Sequence, residues 1–233
     1  MSNDAKPTGG DRADARPDEE SIPTPSTERV LDLATELVSV DTRNPPGETR
    51  ALVEWLEGRL SDLGLETELV ATDPAKPNVL ATLPGAADRT LLYNGHVDTV
   101  AFDADEWRFD PLGERAGDRL YGRGATDMKG PLAAMLHAVE AFAESDSEPP
   151  VDLAIAVVSD EETGGSAGVG TLLDRGVVDA DACVIGETTC SDGRYSVTAA
   201  DRGSIWLTLE AEGTAAHGSR PALGENAIDR LWA

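Results

Sequence analysis

Apolar and polar positions recur along this chain with two different periods. Over residues 30–38 and 52–63, leucine, valine and alanine recur every three or four positions, which predicts two amphipathic helices. Ser26 or Thr27 can cap the first helix, and Gly64 can end the second. Strands alternating with helices along the rest of the chain predict an α/β fold, a layered domain with a sheet flanked by helices. The strands are expected at residues 68–71, 78–83, 90–93, 151–158 and 182–185, and further helices at residues 133–142 and near 168–173.

The pattern changes towards the C-terminal end. Apolar residues alternate singly with polar ones over residues 204–211, which predicts a half-exposed strand, and a helix is expected to begin near Asn226. Residues 1–25 hold almost no large apolar side chains, a composition typical of a disordered acidic tail. We therefore expect that tail, a main α/β domain over residues 26–200 and the start of a smaller α/β domain over residues 201–233.

The charge balance limits the classes of partner. Acidic residues outnumber basic ones by 44 to 19, which gives a formal net charge of −25 and argues against nucleic acid or an anionic membrane as a partner. The excess is spread along the chain, and the lysines are few: Lys6, Lys76 and Lys129. This composition favours a halophilic protein kept soluble at high salt, with an ordinary acidic protein as the alternative.

The cysteines and the apolar runs indicate a location. Cys183 and Cys190 cannot form a disulfide framework, so a reducing cytoplasm is expected, and Cys183 is predicted to be a small buried residue. The longest purely apolar run, residues 153–158, is far too short to span a bilayer. The N-terminal segment lacks the apolar region of a signal peptide. We therefore expect a cytoplasmic protein.

Three of the predicted strands are followed by groups that can bind a metal ion. His96 ends the run TLLYNGH, Glu161 and Glu162 end LAIAVVSDEE, and Glu187 ends ACVIGE. In open α/β sheets, sites form beyond the carboxyl ends of the strands. Asp127 adds a fourth group from a glycine-rich loop before a predicted helix. One imidazole and several carboxylates, without thiolates, suit zinc or a similar divalent ion in a catalytic role.

Electrostatics supports a cation among these carboxylates. Several converging carboxylates repel one another, and one or two metal ions would remove that cost. Asp98 follows His96 by two residues and can accept the second ring N–H of that histidine, which would fix the orientation of the ring. The alternative is that all of these are solvated loop residues.

Five segments carry a resemblance to a known family. They read NGHVDTV, LYGRGATDMKGPLAAML, VVSDEETGG, VIGETT and GTAAHGSRPALGENAI, and they span roughly residues 27–233. In this order they resemble the co-catalytic zinc enzymes that include acetylornithine deacetylase, succinyl-diaminopimelate desuccinylase, aminoacylase and related carboxypeptidases. The resemblance implies that the main domain is the catalytic domain and that the smaller one begins a lid through which the complete protein forms a homodimer. It also implies hydrolysis of the amide bond of an N-acyl amino acid, as in amino-acid biosynthesis.

The resemblance implies a two-ion zinc site, in which Co²⁺ is a possible substitute. His96 and Glu187 would bind one ion, Asp127 would bridge both ions, and Glu162 would bind the second. Relatives often place a cis peptide after the bridging aspartate, so one is expected between Asp127 and Met128.

The resemblance also implies three catalytic roles. Glu161 would be the general base that takes a proton from a metal-bound water, so that a metal-bound hydroxide attacks the carbonyl. Asp98 would support His96. His217 matches the lid histidine that polarises the scissile carbonyl, in some members at the site of the partner subunit.

One feature of the family pattern is not found. The last metal ligand of the family is a histidine near the C-terminus of a longer chain, and no residue here matches it. His137 lies within a predicted helix and is expected to be a packing or surface residue. Two alternatives therefore stay open. One is a dipeptidase or carboxypeptidase of the same family, and the other is a truncated, catalytically impaired metal-binding fragment.

Overall fold

The chain divides into two compact units, Met1–Thr188 and Thr189–Ala233. The computed structural model describes residues 23–190, 192–198, 203, 205 and 207–232. The predicted tail therefore lies almost entirely outside the described residues. The division falls one residue after Glu187 and precedes the change of sequence pattern near residue 200.

The first unit is an α/β layer structure, as predicted from the sequence. Ser26 caps the first helix by accepting the N–H of Arg29 at 3.4 Å. The helices are α1 (Thr27–Ser39), α2 (Arg50–Asp62), α3 (Lys129–Ala143) and α4 (Val169–Arg175). The strands are β1 (Glu66–Val70), β2 (Asn78–Leu83), β3 (Thr90–His96), β4 (Glu114–Ala116), β5 (Arg119–Tyr121), β6 (Asp152–Val158) and β7 (Ala182–Ile185).

Five of the strands form one mixed sheet, in the order β1-β2-β6-β3-β7. β1, β2 and β6 pair antiparallel, whereas β6, β3 and β7 run parallel. His96 lies opposite Val158, and Asn94 lies opposite Ile185. The carboxyl ends of these three neighbouring strands therefore meet at the same edge of the sheet, with β3 in the middle.

Alternate residues of β6 enter two different cores. Ile155 and Val157 face the larger core, to which α1, α2 and α3 contribute their buried leucines and valines. Ala156 and Val158 face a smaller core with Leu172 of α4. Because β6 is buried on both faces, its sequence is a continuous apolar run rather than an alternating one. The sheet thus lies between helical layers. The carboxyl ends of β6, β3 and β7 are not covered by these layers and are free to form a site.

β7 is far more exposed to solvent than β6. It is the outermost strand of the sheet, and all four of its residues are exposed. The prediction that Cys183 is buried is therefore wrong, because β7 has no neighbour beyond it among the described residues. Cys183 and Cys190 are both free thiols.

Within its described residues, the second unit contains one short α-helix, α5 (Ala227–Leu231), and a 3₁₀ turn at Pro221–Leu223. Asn226 caps α5 by accepting the N–H of Ile228 at 3.1 Å, as the sequence predicts. The strand predicted over residues 204–211 is not found at the described positions of that segment, where Ile205 and Leu207 are 85% and 79% exposed. A strand needs a partner for its backbone groups, and these positions pair with no strand among the described residues. Across the described part of the chain, the helices lack the length and apolar character that a bilayer crossing demands.

Candidate metal centre

His96 forms the base of the site. It is the last residue of β3, and its side chain is only 1% exposed. Its Nδ1 lies 2.9 Å from the backbone oxygen of Asp98 and 3.4 Å from the carboxylate Oδ1 of the same residue. Because both oxygens only accept, the hydrogen of the neutral ring is on Nδ1. The lone pair of Nε2 is then directed away from Asp98 and is free to bind a cation.

Carboxylates surround this Nε2 atom. Asp127 places Oδ1 at 3.2 Å from it, Glu187 places Oε1 at 3.4 Å, and Glu161 places Oε2 at 3.8 Å. A ligand atom of Glu162 lies within 4.8 Å of ligand atoms of both His96 and Glu161. The carboxylates of Asp127, Glu161 and Glu187 are 43–56% exposed, so they are open to solvent on the Nε2 side of the buried ring. We refer to this side of His96, with the carboxylates around it, as the cleft.

The sheet topology explains this convergence. His96 ends the central strand β3, Glu161 follows β6 on one side, and Glu187 follows β7 on the other. The parallel direction of the three strands brings their following residues to the same edge. Asp127 reaches the cleft from the loop before α3, where an anionic side chain also suits the helix N-terminus.

The turn after β6 directs two adjacent glutamates into the cleft. Asp160 has a left-handed backbone conformation, with φ of 76°, and a single 3₁₀ turn follows at Glu161–Thr163. Asp98 accepts the backbone N–H of Glu161 on Oδ1 and that of Glu162 on Oδ2, each at 3.1 Å. The carboxylate of Asp98 therefore contacts the ring of His96 and also holds the backbone that carries both glutamates.

The loop before α3 has two further features. The peptide between Asp127 and Met128 is cis, which confirms the prediction. Lys129, at the first position of α3, is 1% exposed and donates from Nζ to the backbone oxygen of Val40 at 2.8 Å. Burial lowers the pKa of Lys129 to about 8.

The acidic surroundings shift the protonation of the site. Burial disfavours the charged ring of His96, but hydrogen bonds with Asp98 and Glu187 outweigh this effect and raise its pKa to about 11. The hydrogen bond with His96 lowers the pKa of Glu187. Burial raises the pKa of Glu161, and burial together with the charge of Asp127 raises that of Glu162. The cluster therefore favours uptake of positive charge.

The donor set fits a divalent metal ion. With its hydrogen on Nδ1, the ring presents the Nε2 lone pair to carboxylate oxygens 3.2 and 3.4 Å away, and these groups repel one another unless a proton or a cation lies between them. Two sets of possible ligands share His96 within the described residues. One adds Asp127 and Glu187, and the other adds Glu161 and Glu162. One imidazole with carboxylates is a donor set that zinc accepts in catalytic sites.

Comparison with known proteins agrees with this arrangement. The family model described as "Peptidase family M20/M25/M40" matches residues 92–228, a stretch that includes every residue of the cleft named above. The chain belongs to this family.

Two curated relatives show how the M20 chain compares with its family. A probable succinyl-diaminopimelate desuccinylase from Staphylococcus epidermidis is 33% identical over 210 residues, which covers 88% of this chain and 50% of the relative. An acetylornithine deacetylase from Aliivibrio salmonicida is 36% identical over 180 residues, which covers 76% of this chain and 44% of the relative. The M20 chain thus spans about half the length of these relatives.

A solved structure supports the fold. The crystal structure of an M20 family metallo-carboxypeptidase from Sulfolobus solfataricus matches with a TM-score of 0.60 and 26% identity, over 67% of this chain and 37% of that one. The M20 chain therefore shares its α/β fold with a solved member of its family.

The sequence has two further histidines, His137 and His217. His217 is in the second unit, where its Nδ1 accepts the backbone N–H of Ser219 at 3.3 Å and lies 2.9 Å from the Oγ of the same residue. His137 is buried in α3, and its Nε2 accepts the backbone N–H of Ser26 at 2.9 Å. His137 is thus a packing residue that ties the start of α1 to α3, one of the two predicted possibilities.

The sequence pattern does not identify three residues that lie behind the cleft. Asn44 and Lys76 each bond the carboxylate of Asp160, and Asn44 also bonds Asp98. Asn44 precedes two prolines and a glycine, so its segment predicts only a helix break. The one available signal is the position of Asp160, directly before the two glutamates.

Proposed function

We propose that this chain carries the hydrolytic centre of an enzyme that cleaves the amide bond of N-acyl amino acids, of the deacetylase or desuccinylase type. The observation that supports it most directly is the convergence of His96, Asp127, Glu161 and Glu187 at one sheet edge of an M20 family member. The desuccinylase and deacetylase relatives support this substrate class. The chain spans about half the length of these relatives, so the activity is proposed for the whole protein.

The proposed metal ligands are the residues around Nε2. His96 and Glu187 would hold one ion, Asp127 would reach both ions, and Glu162 would hold the second. Zinc suits this donor set, and Co²⁺ would replace it. When bound, the ions would supply Lewis-acid activation of the scissile carbonyl and of a water molecule.

Glu161 would move the proton. Its carboxylate faces the open cleft, and its pKa is raised by burial, which brings it closer to the working pH of a general base. It would take the proton of the attacking water and pass it to the leaving amine. Asp98 would keep the Nδ1 hydrogen of His96 in place and would thereby hold Nε2 towards the cleft.

His217 would bind the carbonyl oxygen of the substrate. Its Nδ1 accepts the N–H of Ser219, so a neutral ring carries its hydrogen on Nε2 and can donate it.

We further propose that residues 26–200 are part of the catalytic domain and that residues 201–233 begin a lid, through which the complete protein forms a homodimer. A reducing, salt-rich cytoplasm would suit the two free thiols and the net charge of −25.

A peptidase is the second candidate. The M20 metallo-carboxypeptidase with the matching fold favours it, because the same cleft residues would serve hydrolysis of a peptide bond. The two candidates differ in the group on the carbonyl side of the scissile bond, a simple acyl group in one and an aminoacyl group in the other, so a comparison of N-acyl amino acids with dipeptides separates them.

A metal-binding protein with impaired turnover is the third candidate. In the described part of the chain, neither set of possible ligands contains a histidine other than His96. The proposed first ion has His96, Asp127 and Glu187, whereas the second has only Asp127 and Glu162. Catalytic zinc sites usually have three protein ligands, so the second ion is expected to bind weakly.

One experiment tests the proposal and ranks the candidates. The 233-residue chain and His96→Ala are analysed for bound metal and assayed on N-acetyl amino acids, N-succinyl amino acids and dipeptides. We expect about one tightly bound divalent ion per chain, as three protein ligands allow. We also expect its loss in His96→Ala and slow hydrolysis that prefers the N-acyl substrates. Metal binding that does not depend on His96 would contradict the proposed centre, and two tight ions with rapid turnover would exclude the third candidate.

A further inference from the structure

Asn44 lies directly behind the site and contacts Asp98. It is 3% exposed, and its Nδ2 donates to Oδ2 of Asp98 at 2.8 Å and to Oδ1 of Asp160 at 3.0 Å. The two carboxylates belong to different strand ends, since Asp98 follows β3 and Asp160 follows β6. One amide group thus joins two buried carboxylates from neighbouring strands.

The chemistry of this position demands an amide. A primary amide nitrogen carries two hydrogens, one for each carboxylate, and its carbonyl oxygen remains free to accept. That oxygen accepts from Nζ of Lys76 at 3.1 Å. An aspartate at position 44 would present an acceptor where two donors are needed, and would place a third negative charge beside the other two.

Lys76 balances the charge of Asp160. Its ammonium contacts Oδ1 of Asp160, and the two side chains are 15% and 6% exposed. Asp160 also accepts from the hydroxyl of Thr163 at 2.6 Å and from the backbone N–H of Ala167 at 3.1 Å. Burial disfavours the charged carboxyl, but the hydrogen bonds, first that of Lys76, keep the pKa of Asp160 well below its usual range.

The backbone around Asn44 is fixed as well. Its N–H donates to the backbone oxygen of Thr99 at 2.8 Å, and the N–H of Thr99 donates to the backbone oxygen of Thr42 at 3.1 Å. Gly47 closes the turn with φ of +77°, and a Cβ there would come within 2.6 Å of the Lys76 Cε atom and 2.8 Å of the Asn44 Oδ1 atom. The segment is therefore shaped to place the amide between the two carboxylates.

We propose that Asn44, Asp160 and Lys76 form a positioning unit that fixes the carboxylate of Asp98. The inference rests on the proposed function, because Asp98 links the ring of His96 to the backbone of Glu161 and Glu162. None of the three positioning residues needs to touch substrate or metal. They set the angle of the Asp98 carboxylate, and this angle sets how far Nε2 of His96 stands from the two glutamates.

The experiment uses Co²⁺ as a visible probe in the 233-residue chain. Affinity and absorption spectrum are measured for the parent and for Asn44→Ala, Asn44→Asp, Lys76→Met and Lys76→Arg. We expect about a 10–100-fold loss of Co²⁺ affinity for the first three, the usual effect of removing a partner that orients a ligand. Lys76→Arg keeps the cation and should recover most of the affinity.

A matched control separates positioning from general stability. Glu140 of α3 is 1% exposed and accepts from Nε of Arg59 on α2. Arg59→Met therefore removes the cationic partner of a buried carboxylate, as Lys76→Met does, but the side chains concerned bond neither Asp98 nor Asp160. Arg59→Met should lower the unfolding midpoint with little change in the Co²⁺ spectrum. Hydrogen exchange without metal adds a local readout, since the amides of Glu161 and Glu162 should exchange faster in the Asn44 variants than in Arg59→Met.

The outcomes are distinguishable. The positioning unit is refuted if His96→Ala abolishes Co²⁺ binding while Asn44→Asp and Lys76→Met bind Co²⁺ as the parent does and keep the two amides protected. If the Asn44 variants do not fold, the comparison of Lys76→Met with Lys76→Arg tests the positioning unit. These two variants are expected to fold, because the side chain of Lys76 is partly exposed. If Co²⁺ binding is insensitive to His96→Ala, the proposed function fails and the inference fails with it.

Discussion

At the scale of single residues, the most constrained group of the site is Asp98. Its side chain is fully buried, and its carboxylate serves the ring of His96, the amide of Asn44 and two backbone N–H groups. Burial alone would raise its pKa, but the hydrogen bonds with His96 and Asn44 lower it, so it stays ionised. A charged acceptor at this place can orient ligands from two strands at once.

Glu161 and Glu162 are adjacent but are expected to differ in role. Glu161→Gln should keep Co²⁺ affinity nearly unchanged and lower kcat on the best N-acyl substrate by about 10²–10⁴-fold, because the amide cannot accept the proton of water. Kinetics and Co²⁺ titration of the same preparation measure both quantities. Glu68→Gln, an exposed change on β1, is the matched control.

Two results would contradict this assignment of Glu161. Near-normal turnover in Glu161→Gln would show that another group takes the proton. Lost Co²⁺ binding would instead make Glu161 a ligand, a role that its Oε2 at 3.8 Å from Nε2 of His96 permits geometrically.

At the scale of elements, apolar runs predicted several strands of the mixed sheet well. Residues 78–83 and 182–185 match β2 and β7, because their apolar runs have clear ends. β3 continues to His96, three residues beyond its prediction, because Gly95 and His96 pair with β6 and a glycine gives no strand signal by itself. The hairpin of β4 and β5 has no apolar run. Its one signal is the Gly117-Asp118 turn between the two strands.

The site was predictable only in part, because local sequence shows strand ends but not contacts between distant segments. His96 and Glu187 follow apolar runs, so their place at strand ends can be deduced from local sequence. Asn44 bonds residues that are 54 and 116 positions away. No local pattern encodes such a contact, because it exists only after β3 and β6 have paired.

The link between α2 and α3 depends on a buried carboxylate. Glu140 of α3 is 1% exposed and accepts from Nε of Arg59 at 2.5 Å and from a terminal nitrogen of Arg59 at 3.1 Å. Arg59→Met should lower the free energy of unfolding by roughly 2–3 kcal/mol, since it leaves a buried charge unpaired while Arg59 itself is partly exposed. Urea unfolding at neutral pH measures the change.

Two further variants test the cause. Adding Glu140→Leu to Arg59→Met should recover most of the lost stability, because the unpaired charge is then removed. The exposed pair of Arg50 and Glu54 on α2 is the matched control, and Arg50→Met should cost less than about 1 kcal/mol. Equal losses for Arg50→Met and Arg59→Met would show that burial of Glu140 does not matter.

At the scale of the whole molecule, the charge is distributed unevenly between surface and interior. The chain has 44 acidic and 19 basic residues, and the two lysines within the described residues, Lys76 and Lys129, are both largely buried with bonded ammonium groups. Lysine is therefore used for internal contacts, and the surface carries an excess of carboxylates whose mutual repulsion opposes the compact state.

Salt should therefore stabilise the protein. Raising KCl from about 0.1 M to about 1 M shortens the screening length from about 10 Å to about 3 Å and weakens repulsion between surface carboxylates. We expect the urea midpoint to rise across this range with an unchanged slope. A near-neutral protein of similar size in the same buffers is the control, and a midpoint that stays constant or falls in KCl would contradict the halophilic expectation.

β7 is at once the most exposed strand of the sheet and the one that precedes Glu187. Within the described residues β7 pairs with β3 alone. Its detachment from the sheet would therefore break the backbone hydrogen bonds with only one neighbouring strand. Each such opening would withdraw Glu187 while His96 stayed fixed on the central strand. The residence time of a bound ion would then be governed by how often an outer strand detaches, and a partner chain that covered β7 would slow the escape of the ion without touching it.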